Sequence, residues 1–284
     1  MKTQTTIKPI TDLQGNWELN NGYKMPYLGL GVWKAKNGEE VINAVKWAIE
    51  AGYRHIDTAK AYENEEGVAK GIAASGVSRE DLFITSKLWN NDQGYESTLK
   101  AFDNSLKRLN TDYLDLYLIH WPVEGKYKDT WRAMEKLYKD GRIKAIGVSN
   151  FLEHQLTDLM RDCEIKPMVD QLEFHPWLLQ EDLQKFCAEN DIQYEAWSPL
   201  MQGKAFKNET LKKIGEKYDK TPAQIVIRWD LQNGVITIPK STSKKHIESN
   251  ANVFDFELEE KDMQTINALD KGERIGPDPD NFDF

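Results

Sequence analysis

A repeated unit constrains this chain more than any single residue. Eight short apolar runs punctuate it: Leu28–Trp33, Arg54–Asp57, Leu82–Lys87, Leu114–His120, Ile143–Ser149, Met168–Gln171, Ile192–Ala196 and Val235–Ile238. Each is followed by a stretch whose apolar residues recur at helical spacing. The runs are continuous rather than alternating, as in strands covered on both faces by helices. Eight strand–helix units over about 250 residues have the count and length of a closed (β/α)8 TIM barrel; an open doubly wound sheet is the alternative. Helices are expected over Glu39–Ala51, Asn64–Ser75, Tyr95–Leu109, Thr130–Asp140, Leu152–Arg161, Gln180–Glu189, Glu209–Tyr218, Pro222–Gln232 and Lys244–Asn252. One further C-terminal helix is expected over Leu258–Leu269. Upstream, Trp17–Pro26 sets Asn20-Asn21-Gly22 between two short alternating runs, the signal of a β-hairpin that would plug the bottom of the barrel. Residues 1–16 read as a weakly structured lead and 271–284 as a short, polar, Pro-containing tail. With no linker or composition shift, the expectation is one domain over 1–284.

Composition removes several classes of function. The net charge of -9 argues against nucleic acid or an anionic membrane as the main partner, since both require a basic face. No apolar run approaches the roughly 20 residues of a membrane span. The start, Met1-Lys2-Thr3-Gln4-Thr5-Thr6, is polar and lacks the apolar segment of a signal peptide. Cys163 and Cys187 fall in helical patterns and form no metal or redox motif, which reads as reduced packing thiols of a cytoplasmic protein.

In a barrel of this kind the chemistry is done at the C-terminal ends of the strands. The pattern delivers Asp57, Tyr62, Lys87, Trp89, His120, Trp121, Ser149, Asn150, Gln171, Trp197, Ser198 and Lys240 to that rim. Singly, each has a bland account: an Asp caps a turn, a Lys is solvated, a His is a satisfied core residue. Together they have a chemical logic. A tyrosine hydroxyl ordinarily titrates near 10, and a neighbouring ammonium stabilises the phenolate and lowers that value. A carboxylate beside the ammonium keeps it charged, and a histidine can orient a carbonyl oxygen. Tyr62, Lys87, Asp57 and His120 are thus the parts of a tuned proton donor facing a carbonyl.

The longer motifs carry a resemblance. Gly52-Tyr53-Arg54-His55-Ile56-Asp57-Thr58-Ala59 with Tyr62, Ile84-Thr85-Ser86-Lys87-Leu88-Trp89 and Leu118-Ile119-His120-Trp121-Pro122 are three of them. Ile146-Gly147-Val148-Ser149-Asn150-Phe151 and Ile238-Pro239-Lys240-Ser241 complete the set. The chain resembles the aldo-keto reductase family from end to end, and within it the bacterial 2,5-diketo-D-gluconate and glyoxal (methylglyoxal) reductases. That resemblance implies NADPH-dependent reduction of aldehydes and ketones, and it maps a catalytic tetrad onto Asp57, Tyr62, Lys87 and His120. It sets the nicotinamide carboxamide against Ser149, Asn150 and Gln171. The stacking ring falls at Trp197, where many relatives have tyrosine, with Ser198 and Leu200 following. The adenosine 2′-phosphate falls to Lys240, Ser241 and Thr242 at the start of a helix, a ready anion site. His246 stands where relatives usually carry arginine, so the preference for NADPH over NADH is expected to be weak. Asn250 matches the family's adenine contact. The substrate would meet Trp33, Trp89, His120 and Trp121.

Only Val123–Asp129 separates Pro122 from the next predicted helix, and the tail is short, so an open mouth suited to small polar carbonyls, keto-sugars and dicarbonyls is expected, in a monomer. Two rival chemistries are weaker. A Schiff-base lyase using Lys87 conflicts with the carboxylate expected to keep that lysine charged. A metal enzyme would need a cluster of carboxylates or histidines that the rim lacks. A non-enzymatic barrel would be favoured by loss of a tetrad residue, and none is lost.

Overall fold

The computed structural model describes residues 10–284. The chain opens with an antiparallel hairpin, β1 (Asn16–Glu18) and β2 (Lys24–Pro26). Eight parallel strands follow: β3 (Gly29–Gly31), β4 (His55–Asp57), β5 (Phe83–Leu88), β6 (Leu114–Ile119), β7 (Ile143–Ser149), β8 (Val169–Glu173), β9 (Gln193–Trp197) and β10 (Ile236–Thr237). They pair in sequence order, and isolated parallel bridges, Leu28 with Thr237 and Gly31 with Lys240, join the last strand to the first. The sheet is therefore a barrel nearly closed at its seam, not the open sheet that was the alternative. Gly31 permits the approach there, because a Cβ would lie 2.7 Å from the Ile238 carbonyl oxygen.

Among the described residues ten α-helices form the outer layer: α1 (Glu39–Glu50), α2 (Glu65–Ser75), α3 (Tyr95–Leu109), α4 (Tyr127–Lys139), α5 (Glu153–Asp162), α6 (Glu181–Glu189), α7 (Glu209–Tyr218), α8 (Pro222–Gln232), α9 (Lys244–Ala251) and α10 (Glu260–Asn267). Local chemistry explains their ends. Thr221 and Gln224 form a reciprocal capping box with Pro222 in the first turn of α8. Asn110 stops α3 in the left-handed conformation. In α3 the buried residues Thr98, Ala101, Phe102, Ser105, Leu106 and Leu109 recur three and four apart, one stripe against the sheet.

Most boundaries fall within a residue or two of the sequence reading. Helix α4 starts one turn earlier than Thr130, because Tyr127 is itself buried and bonded to Asp158 at 2.5 Å. Short 3₁₀ turns over Met201–Lys207, interrupted by a kink at Gln202 and Gly203, are an addition to the expected elements. The hairpin does cross the N-terminal ends of the strands: Asn20 donates to the Pro167 and Asp191 carbonyls, Asn21 to that of Lys144. Residues 1–9 of the expected loose lead lie outside the described residues. From Ile10 on the lead is tied down, since the buried Arg228 guanidinium donates to the Ile10 carbonyl and the Tyr27 N–H to that of Gly15.

Candidate active site

Parallel register sets the rim. In β4 and β5 alternate residues face inward, so His55 and Asp57 lie beside Thr85 and Lys87. Across the barrel Ser149, Gln171 and Glu195 are register partners on β7, β8 and β9. Gln171 spans the interior and donates from Nε2 to Asp57 Oδ2 at 2.8 Å and Glu195 Oε2 at 2.9 Å.

The four residues of the expected tetrad converge. Lys87, fully buried, donates to Asp57 Oδ1 at 2.6 Å, the Thr58 carbonyl at 3.1 Å and Tyr62 Oη at 3.3 Å. These take all three ammonium donors. Tyr62 ends a 3₁₀ turn after β4, which lays its ring over the ammonium, 4.9 Å from ring centre to Nζ. Since its oxygen accepts from Lys87, its own proton is free to point into the mouth. His120 follows β6, with its ring edge-on between Tyr62 at 5.7 Å and Trp89 at 5.3 Å, and its Nδ1 is buried without a hydrogen-bond partner among the described residues.

Burial decides the charge states. It lowers Lys87, but Asp57 and Tyr62 outweigh it and the ammonium is held above its ordinary value. Burial pushes Asp57 up, while Lys87 and Gln171 pull it back. His120 is driven well below the ordinary imidazole range by burial and by Lys87, so it is neutral. One expectation needs correcting. Lys87 does favour the phenolate, but burial of Tyr62 is the larger effect and its hydroxyl sits above, not below, the ordinary value.

The residues assigned by resemblance to the carboxamide also meet. Ser149 Oγ donates to the Gln171 carbonyl at 2.8 Å, and Asn150 Nδ2 to the His120 carbonyl at 2.9 Å. Trp197 adds a link that a tyrosine would not supply in this form: its Nε1 donates to Asn150 Oδ1 at 2.8 Å. Asn150 and Ser198, directly after β7 and β9, both adopt positive φ, 64° and 58°, a backbone state uncommon for non-glycine residues. Ser198 and Leu200 line the turn after β9, half-buried. At the other end of the rim, exposed Lys240, then Ser241 and Thr242, lead into α9, whose Ser243 N-cap makes no side-chain bond. The first amide groups of α9 are thus left for an anion. His246 is exposed in that first turn and Asn250 is buried one turn on. A flat indole, anchored amides and an uncapped helix start with a lysine beside it are a donor set suited to a dinucleotide phosphate.

The tail was misjudged. It is not merely a short polar end beside an open mouth. Buried Glu173 accepts from the Ile275 and Gly276 N–H groups at 2.6 and 3.1 Å, and Gly276 lies directly on the Trp197 ring. Further along, Phe282 packs on Trp121 at 5.1 Å, and Phe284 stacks on Trp89 at 5.7 Å with an interplanar angle of 7°. The Phe284 carbonyl accepts from Asn90 Nδ2 at 3.0 Å. Trp89 and Trp121 are therefore partly covered, while Trp33 stays 42% exposed with the Lys34 ammonium over its ring. Glu173, Glu195, Gly276, Phe282 and Phe284 were missed. Glu195 had a signal, a carboxylate in the middle of a barrel strand, two residues before Trp197 and hence on the same face.

Comparison with known proteins agrees with this geometry. The model of the Aldo/keto reductase family matches residues 27–271. The chain is 61% identical over 274 residues to a glyoxal reductase of Bacillus subtilis, covering 96% of this chain and 99% of that one. It is 50% identical over 268 residues to methylglyoxal reductase DkgA of Salmonella typhimurium, covering 93% and 96%. A crystal structure of a Gox0644 mutant in complex with NADPH superposes with a TM-score of 0.91 at 44% identity, covering 95% of this chain and 99% of that chain.

Proposed function

The chain belongs to the aldo/keto reductase family, and from that premise we propose that it reduces small polar aldehydes and ketones, dicarbonyls among them, to alcohols, with Tyr62 as the proton donor. The observation that carries the assignment of roles is the hydrogen-bonded line Asp57–Lys87–Tyr62, whose carboxylate and ammonium are buried from water and which ends in a half-buried hydroxyl whose proton is unclaimed. NADPH supplies the hydride. Tyr62 gives its proton to the carbonyl oxygen as negative charge develops there, and Lys87 stabilises the phenolate left behind. Asp57 keeps Lys87 charged and aimed. Neutral His120 serves as a hydrogen-bond donor to the same oxygen, not as an acid, because its imidazolium is excluded by burial. Trp197, with Ser149, Asn150 and Gln171, orients the nicotinamide, and Lys240, Ser241 and Thr242 take the 2′-phosphate. The raised Lys87 pKa leaves no free amine for a Schiff base at neutral pH.

Substrate size is set at the mouth, where Phe282 and Phe284 narrow the space over Trp121 and Trp89. No described helix is long and apolar enough to cross a membrane. A monomer is the simplest form consistent with a rim complete within one chain, and the free thiols Cys163 and Cys187 suit a reducing compartment such as the cytoplasm. The test is Tyr62→Phe assayed by NADPH absorbance against methylglyoxal and a panel of larger ketones. Turnover should be abolished and NADPH affinity kept. Turnover near the parent rate would remove Tyr62 from its role, and a marked preference of the parent for steroid-sized ketones would overturn the substrate class.

A further inference from the structure

Glu195 lies at the barrel axis with nothing to neutralise it. It is fully buried, and Oε1 has no hydrogen-bond partner among the described residues. Its Oε2 accepts from Gln171 Nε2, whose second hydrogen goes to Asp57. One amide thus bridges two carboxyl groups. The charged and titratable groups facing Glu195 are His55 and Asp57 from β4, Lys87 from β5 and Tyr62 from the turn after β4. Its register partners in the sheet, Gln171 on β8 and Ile236 on β10, add no charged group.

Of these groups only Lys87 is a cation, and its three donors are spent on Asp57, Thr58 and Tyr62. His55 cannot substitute for it. Its Nε2 is 3.8 Å from Glu195 Oε1 and bonds Thr85 Oγ1 instead, and burial, with Lys87 second, lowers its pKa to about 3. A carboxylate in this position would be an unpaired buried charge, which proteins avoid by keeping the proton.

We propose that Glu195 is a positioning residue for carbonyl reduction, one that works as a neutral acid: it fixes the Gln171 amide so that both N–H groups face the carboxyl pair, and it leaves the Lys87 charge undivided for Asp57 and Tyr62. The fixed amide presents Gln171 Oε1 as an acceptor, the complement of a carboxamide NH₂. Ionisation of Glu195 adds a second negative charge behind Lys87. The Tyr62 phenolate becomes harder to form and the hydroxyl a poorer proton donor. The proposal rests on the reading of Tyr62 and Lys87 as the proton-donating pair.

Burial, with the Asp57 charge next, pushes the Glu195 carboxyl up to about 8, so ionisation falls within an accessible range. The protonated fraction then drops roughly tenfold from pH 7 to pH 9. The experiment compares kcat/KM for reduction of one carbonyl at pH 7 and pH 9 in the parent and in Glu195→Gln, which keeps the shape but cannot ionise. The parent should lose up to about tenfold across that interval, and the variant should stay nearly flat. Profiles that superimpose, or a variant slowed by the same factor at every pH, would overturn the proposal. Should Glu195→Gln fail to fold, infrared spectroscopy of the parent decides: the carbonyl stretch of one buried protonated carboxyl must disappear between pH 7 and pH 9, and its persistence refutes the idea. Tyr62→Phe separates the two claims. An inactive Tyr62→Phe with an unshifted Glu195→Gln profile removes Glu195 alone, whereas an active Tyr62→Phe removes the proton-donating pair.

Discussion

Replacing Lys87 with Met keeps an unbranched stem and deletes the ammonium, and with it three hydrogen bonds, to Asp57 at 2.6 Å, Thr58 at 3.1 Å and Tyr62 at 3.3 Å. Asp57 is left fully buried with only the Gln171 amide. Breaking one side of a buried ion pair costs about 3–5 kcal/mol when the remaining charge cannot escape. Here it can escape by taking up a proton, so the lower end is expected. The same escape fixes the pH dependence. Burial already holds Asp57 above its ordinary value, and loss of Lys87 moves it further up. A carboxyl protonated in the fold and ionised in the unfolded chain gives stability that is complete below its unfolded pKa, near 4, and is lost as pH rises through the folded value. Lys87→Met should therefore lose Tm from pH 5 to pH 7 more steeply than the parent, and adding Asp57→Asn should remove the excess slope.

Turnover should fall by roughly 10²–10⁴, the usual contribution of a positioned acid, since Tyr62 loses the charge that stabilises its phenolate. NADPH affinity, measured by quenching of protein fluorescence, should change by only a few-fold, because all three Lys87 donors are taken by Asp57, Thr58 and Tyr62. Single-turnover NADPH absorbance gives the chemical step directly. Full activity at pH 7, or a Tm that climbs from pH 5 to pH 7, would refute the account of the site as an ion-paired, tyrosine-centred donor.

Gly276→Ala places a methyl 2.3 Å from Trp197 Cη2, so the indole or the tail must shift, and NADPH affinity should drop several-fold; an unchanged Kd would detach the tail from the cofactor ring. Phe282→Ala with Phe284→Ala removes the aromatic cover over Trp121 and Trp89. With each aromatic pair worth about 0.5–1.5 kcal/mol, kcat/KM for bulky ketones relative to methylglyoxal should rise roughly two- to tenfold, and no change would mean that the tail does not limit substrate size. His246→Arg, in the first turn of α9, should raise the NADPH over NADH ratio of kcat/KM on the order of ten- to a hundredfold, as a charged fork replaces a single-point donor. A ratio left unchanged would show that this side chain does not read the phosphate.

The barrel was legible because its signal is periodic and redundant. A run such as Leu116–Ile119 is apolar on both faces, and α3 shows a clean stripe, so no long-range information is needed to assign either. The tetrad was legible for a related reason: strand ends gather whatever side chain the strand finishes with, and Asp57 ends β4, Lys87 is next to last in β5 and His120 directly follows β6. What escaped depends on distances across the molecule. Phe282 and Phe284 belong to a stretch with no periodicity, and its course depends on residues more than a hundred positions earlier: Glu173 captures Ile275 and Gly276, Gln155 bonds Asp280 and Asn90 bonds the Phe284 carbonyl. The sign of the Tyr62 shift escaped likewise, because sequence supplies the charge partner but not the depth of burial, and here burial is the larger of the two.

Glu195 shows where the limit lies. Counting alternation back from Trp197 puts it on the barrel's inner face, and a buried carboxylate can be flagged on that ground alone. Whether it is ionised cannot be decided that way. It turns on how many donors Lys87 has left, and that number follows from Thr58 offering its carbonyl to the ammonium and Tyr62 its oxygen. Had either bond been absent, one N–H would have been free, and a second ion pair at the axis would have been affordable. Because both are present, the Gln171 amide bridges one compensated carboxylate and one that must keep its proton. The asymmetry between Asp57 and Glu195, two acids bridged by the same amide, is therefore set by the loop after β4 rather than by the strands that carry them.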